Sequence, residues 1–178
     1  MQGRLLPKYH GRYQAHPLGY WQEEFEIAKT LGFDCIEFIL DFNDANKNPL
    51  FKKGGVEEVL AVSKNTGVSV ETICADYFME APLHSMDKSV AKQSQETLIA
   101  LLKTAQRLGV DDIVIPCVDQ ASLNSREAGD RFVNHIHKVL PSAEKQEINL
   151  SLETDLAPQP FVELLDKFNS SRVTVNYD

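Results

Sequence analysis

The chain has no long apolar run, little cysteine and no surplus of basic charge, and each lack removes a class of protein. No stretch reaches the roughly 18 consecutive apolar residues that a membrane helix needs. The opening residues, Met-Gln-Gly-Arg-Leu-Leu-Pro, do not carry the apolar segment of a secretory signal. Only three cysteines occur, Cys35, Cys74 and Cys117, and none pair at Cys-x-x-Cys spacing. They lie in or beside apolar stretches, so they read as buried free thiols of a cytoplasmic protein rather than a disulfide frame. Lysine and arginine number 18 against 26 acidic residues, a net charge of −8. The basic residues are scattered, which argues against a nucleic-acid surface. Low-complexity tracts are also missing. With 43% apolar and 25% charged residues, one globular domain over residues 1–178 is expected.

What is present is organised around residues 148–155, Ile-Asn-Leu-Ser-Leu-Glu-Thr-Asp. The alternation is strict, with Ile148, Leu150 and Leu152 on one face and Asn149, Ser151 and Glu153 on the other. A period of two marks a strand. The closing Val-Thr-Val-Asn-Tyr-Asp repeats it, with Thr174, Asn176 and Asp178 sharing the polar face. If these strands are parallel neighbours, Glu153 and Asp178 end at one rim. Two carboxylates so placed repel and require a cation or a shared proton.

Further strands are expected over 34–40, 68–74 and 112–117. Helices are expected over 21–31, 56–65, 89–108, 126–144 and 161–168, with Pro141 ending or kinking the fourth. Residues 1–20 and 75–87 read as loops. Strand starts roughly 25 to 45 residues apart suit right-handed βαβ units and a parallel sheet, whose functional residues sit at strand carboxyl ends. Polar strand faces suit a barrel interior better than an open doubly wound sheet, whose central strands are apolar on both faces. An eight-stranded (β/α) barrel needs roughly 250 residues. An incomplete barrel of about six strands is therefore expected, the first near Arg4, with two open edges that favour a homo-oligomer.

Met-Gln-Gly-Arg-Leu near the start, Leu-Gly-Phe-Asp-Cys-Ile-Glu at 31–37, Leu-Ser-Leu-Glu-Thr-Asp at 150–155 and Val-Asn-Tyr-Asp at 175–178 resemble the sugar-phosphate isomerase/epimerase family. The resemblance implies a xylose-isomerase-like (β/α)₈ TIM barrel, of which this chain covers about the first two thirds. It implies an isomerase or epimerase that removes a proton next to the carbonyl of a sugar or sugar phosphate. It also implies a divalent metal, Mn²⁺, Mg²⁺ or Co²⁺, held by two Glu, an Asp and a His. Glu153 matches the first Glu, which is also the base, and Asp178 matches the Asp. The remaining two ligands would lie beyond residue 178.

Other residues leave a choice. Glu37, inside an apolar strand, reads as a structural ion pair or a polar substrate contact. His84 reads as a surface histidine or a substrate contact, and Asp119 as a binder of sugar hydroxyls or a turn residue. Tyr77, Phe78 and Met79 either wall a pocket or cover the barrel end. Arg4, Lys8 and Arg12 are the cations available to a phosphate. Two other functions fit the same pattern: a metal-dependent hydrolase such as an abasic-site nuclease, and a non-catalytic flavodoxin-like binding domain. The second requires strand order 2-1-3-4-5, and a barrel requires sequential order.

Overall fold

The computed structural model describes residues 5–177, and in them helix and strand alternate as the apolar periods require. The strands are β1 (Cys35–Ile39), β2 (Ser69–Cys74), β3 (Asp112–Cys117), β4 (Asn149–Thr154) and β5 (Val173–Val175). The α-helices are α1 (Gln22–Thr30), α2 (Gly55–Thr66), α3 (Tyr77–Glu80), α4 (Lys88–Leu108), α5 (Arg126–Gln146) and α6 (Pro158–Leu165). Gly67 and Gly109 end α2 and α4 in left-handed backbone, at φ 78° and 76°, and return their N–H groups to the last turns. That reversal sends the chain straight into the next strand.

All four strand pairs are parallel and the order is β1-β2-β3-β4-β5. Sequential winding belongs to a barrel, so the flavodoxin-like alternative falls. Five strands are seen among the described residues where about six were expected. The strand expected near Arg4 falls on residues 1–4, which lie outside the described residues.

The two faces of the sheet differ in chemistry. Ile73, Ile113, Ile115, Leu150 and Leu152 are fully buried on one face, in the same core as Leu98 and Leu101 of α4 and Ile136 and Val139 of α5. Each such side chain contributes about 1.5–3 kcal/mol by leaving water. On the opposite face polar groups satisfy each other laterally. The Thr72 hydroxyl donates to Glu37 at 2.7 Å, and the Ser151 hydroxyl bonds Asp112 at 2.6 Å and Thr174 at 2.8 Å. A register slip of one residue would exchange these faces, so the pairing Ser151↔Thr174 is strongly specified.

Three boundaries depart from the sequence reading. Pro141 does not end its helix: α5 continues to Gln146 because Leu140 and Ala143 bury the final turns in the core. The segment 75–87 is not all loop, since it contains α3, and the Ser94 hydroxyl of α4 clamps its end by donating to the Ala81 carbonyl at 2.7 Å. The last helix runs over Pro158–Leu165 rather than 161–168, its start marked by Pro158, whose fixed φ suits the first turn, and its end three residues earlier than expected.

Candidate active site

The carboxyl ends of β1 to β4 surround a cleft of about 510 Å³. Each strand delivers its first polar residues there as its hydrophobic stretch runs out. β1 leads through Leu40 to Asp41, β2 to Cys74 and Asp76, β3 to Pro116 and Asp119, and β4 to Glu153. Arg12, Tyr13 and Gln14, from the segment before α1, line the cleft as well.

Glu153 stands opposite Pro116 in the β3–β4 register, and its Oε2 accepts from the Asn176 side-chain amide at 3.1 Å. That bond crosses from β4 to the continuation of β5, where the Asn176 N–H also bonds the Leu152 carbonyl at 2.9 Å. The expected juxtaposition of the two polar strand faces is therefore present as far as Asn176. Asp178 lies outside the described residues.

The wall opposite carries two carboxylates that the sequence reading passed over. Asp41 is 4% exposed and accepts from Arg12 Nη2 at 2.6 Å, from the Asn43 N–H at 3.1 Å and from the Asn43 amide at 3.3 Å. Arg12 is thus committed to a carboxylate. Asp76 accepts from Gln14 Nε2 and from the Cys74 thiol, each at 3.2 Å. Burial, with the negative charges of Asp41 and Glu153 nearby, pushes the Asp76 carboxyl up to about 6. A signal for both residues existed: each is an acid placed one or two residues past an apolar strand.

The other singled-out residues divide. Asp119 lines the cleft on a single 3₁₀ turn, Asp119–Ala121, with a left-handed backbone of φ 49°, an uncommon conformation outside glycine. Met79 lines the cleft, whereas Tyr77 and Phe78 are buried in the core beneath it. Glu37 sits deeper along β1, bonded to Thr72, and does not line the cleft. His84 does not line it either. The reading of His84 as a surface residue is corrected: it is 8% exposed, packed edge-on against Phe132 at 6.4 Å, with its carbonyl accepting from Arg131 at 2.8 Å. Its burial holds the imidazole below its ordinary pKa.

Glu153 is the hard oxygen donor that Mg²⁺ or Mn²⁺ accepts, so the donor type fits such an ion. Among the described residues no group of three or more His, Cys, Asp or Glu stands close enough to hold one.

Parallel strands in sequential order, with an acidic cleft at their carboxyl ends, define the (β/α)-barrel class of fold. The family model described as xylose isomerase-like TIM barrel matches residues 25–178. The chain belongs to that family. It is 30% identical over 139 residues to the L-ribulose-5-phosphate 3-epimerase UlaE of Salmonella paratyphi B, covering 75% of this chain and 48% of that protein. A crystal structure of D-psicose 3-epimerase with D-tagatose from Clostridium cellulolyticum H10 superposes with a TM-score of 0.69 at 21% identity, over 88% of this chain and 57% of the other. A xylose isomerase-like TIM barrel protein from Mycobacterium smegmatis, in complex with magnesium, gives 0.69 at 17% identity, over 91% and 57%. Such structural likenesses show the fold. The chain spans about half the length of the curated relatives it matches.

Proposed function

We propose that this protein is a divalent-metal-dependent epimerase or isomerase of a ketose or ketose phosphate. The observation that carries the reading is Glu153, at the end of β4 in the cleft, with Asn176 holding one of its oxygens. The relatedness to an L-ribulose-5-phosphate 3-epimerase supports the substrate class, and the magnesium complex in the family supports the metal.

In the proposed step the Glu153 carboxylate takes the proton from the carbon next to the ketone. The C–H electron pair becomes the C=C bond of an enediolate, and the carbonyl oxygen takes the negative charge. Return of a proton to the opposite face inverts the centre, and return to the former carbonyl carbon, with the hydroxyl proton of the first carbon passing to the other oxygen, gives the isomer. Asn176 keeps the Glu153 oxygens pointed into the cleft. A metal held by Glu153 and Asp178 would supply Lewis-acid polarisation of the carbonyl and an adjacent hydroxyl. Cys35, Cys74 and Cys117 form no disulfide with one another, which supports a cytoplasmic setting.

Incubation in D₂O with Mn²⁺, Mg²⁺ or Co²⁺ tests the reading, using L-ribulose 5-phosphate or D-tagatose. NMR should show deuterium entering the carbon beside the ketone, and Glu153→Gln should slow it by about 10³-fold. Equal exchange by wild type and Glu153→Gln would overturn the assignment of the base.

A further inference from the structure

The geometry points to Asp76 as a residue that binds a hydroxyl group of a neutral polyol, an inference that rests on the epimerase reading and extends it. Asp76 occupies the N-cap of α3, where an aspartate ordinarily accepts an N–H of the first turn. It makes no such bond. The carboxylate lines the cleft instead, and both of its protein donors, Gln14 Nε2 and the Cys74 thiol, address the same oxygen, Oδ1. Oδ2 has no protein donor among the described residues. A carboxylate offers about four acceptor positions, and a half-buried oxygen without a donor is a site for a ligand donor.

The surroundings select the ligand's chemistry. Four other acids line the same cleft: Asp41 after β1, Glu80 on α3, Asp119 beyond β3 and Glu153 on β4. The cation among the lining residues, Arg12, is engaged by Asp41 at 2.6 Å. An anionic group brought to this wall meets like charge on every side. A hydroxyl suits it, because it donates to a carboxylate and accepts from a carboxylic acid. With its pKa raised to about 6, Asp76 presents both forms near neutrality. The molecule whose reacting carbon faces Glu153 thus lays its hydroxyls along Asp76 and Gln14. A phosphate, where the substrate has one, points away from this wall.

Binding of unphosphorylated D-tagatose to the 178-residue chain, followed by saturation-transfer NMR at pH 7, tests the assignment. Wild type should bind. Asp76→Leu should weaken binding by about tenfold or more, while Asp76→Asn, which still accepts and donates, should stay within about threefold. Gln14→Leu frees Oδ1 and should weaken binding less than Asp76→Leu; it serves as the deciding variant if thermal unfolding shows that Asp76→Leu does not fold. Absence of binding by wild type overturns the inference. So does undiminished binding by Asp76→Leu, or by Gln14→Leu as the deciding variant. Equal loss in Asp76→Asn and Asp76→Leu would show that charge and not hydroxyl bonding is recognised, which also overturns it. Deuterium exchange by wild type, measured on the same samples, separates the two readings. Asp76-dependent binding without any exchange by wild type would sink the epimerase reading alone.

Discussion

His16 and Asp76 are buried titratable groups with opposite responses to acid. His16 is 6% exposed, its ring 5.2 Å from that of Phe38, and its Nε2 has no hydrogen-bond partner among the described residues. Burial lowers its pKa from 6.5 to about 4, against the opposing pull of Asp41. The unfolded chain therefore takes up this proton first, so its stability contribution is full above pH 6.5 and falls as pH drops toward 4. Asp76 runs the other way. Its folded carboxyl keeps a proton up to about 6, against 3.8 unfolded, so stability is full below pH 3.8 and falls as pH rises through 6. Each shift corresponds to about 3 kcal/mol, and in the wild type the two trends offset. Relative to wild type, His16→Phe should lose stability as pH rises from 4 to 6.5, and Asp76→Asn should gain it. Urea unfolding at pH 4.5, 5.5 and 6.5 measures this, and three identical slopes would refute it. Glu24, whose pKa burial also raises, is common to all three proteins and cancels in the comparison.

At the scale of elements, the turn from β1 into α2 is built backbone against backbone. Asn48 is 2% exposed; its side chain donates to the Ile39 carbonyl at 2.9 Å and accepts the Leu50 N–H at 3.0 Å. The Thr104 hydroxyl of α4 then holds the Leu50 carbonyl at 3.0 Å. Gly55 opens α2 directly over this turn, where an added Cβ would lie 2.1 Å from the Pro49 carbonyl oxygen and 2.6 Å from its Cα. No rotamer relieves a clash with main chain. Gly55→Ala should therefore cost about 3 kcal/mol. Gly54→Ala meets open space and only the left-handed backbone penalty, at about 1 kcal/mol. Denaturant midpoints should separate the two, and equal losses would show that the turn yields. The same coupling between elements explains α5: Pro141 is a breaker by local rule, yet Leu140 and Ala143 hold the helix together beyond it.

For the whole molecule the open question is edges. β1 and β5 are the outer strands among the described residues, and Val175 and Tyr177 stand 49% and 96% exposed beside β5. An unpaired strand edge with apolar neighbours is a template for another chain. The 178-residue chain is therefore expected to sediment as dimers or larger species at micromolar concentration, and a cooperative monomer would contradict this. Local pattern alone determined the strand–helix alternation, the helix stops at Gly67 and Gly109, and the existence of a polar face on β4 and on β5, because periodicity and turn chemistry act between near neighbours. The sequence also marked Glu153 and Asp119 as rim residues, since the carboxyl end of a strand is visible as the point where its apolar alternation ends. Only the tertiary structure decided that Arg12 is spent on Asp41, that Gln14 and Cys74 aim Asp76 into the cleft, and that His84 is buried. Arg12 meets Asp41 across 29 residues, Gln14 meets Asp76 across 62 and Arg131 meets His84 across 47, and no local period records such meetings.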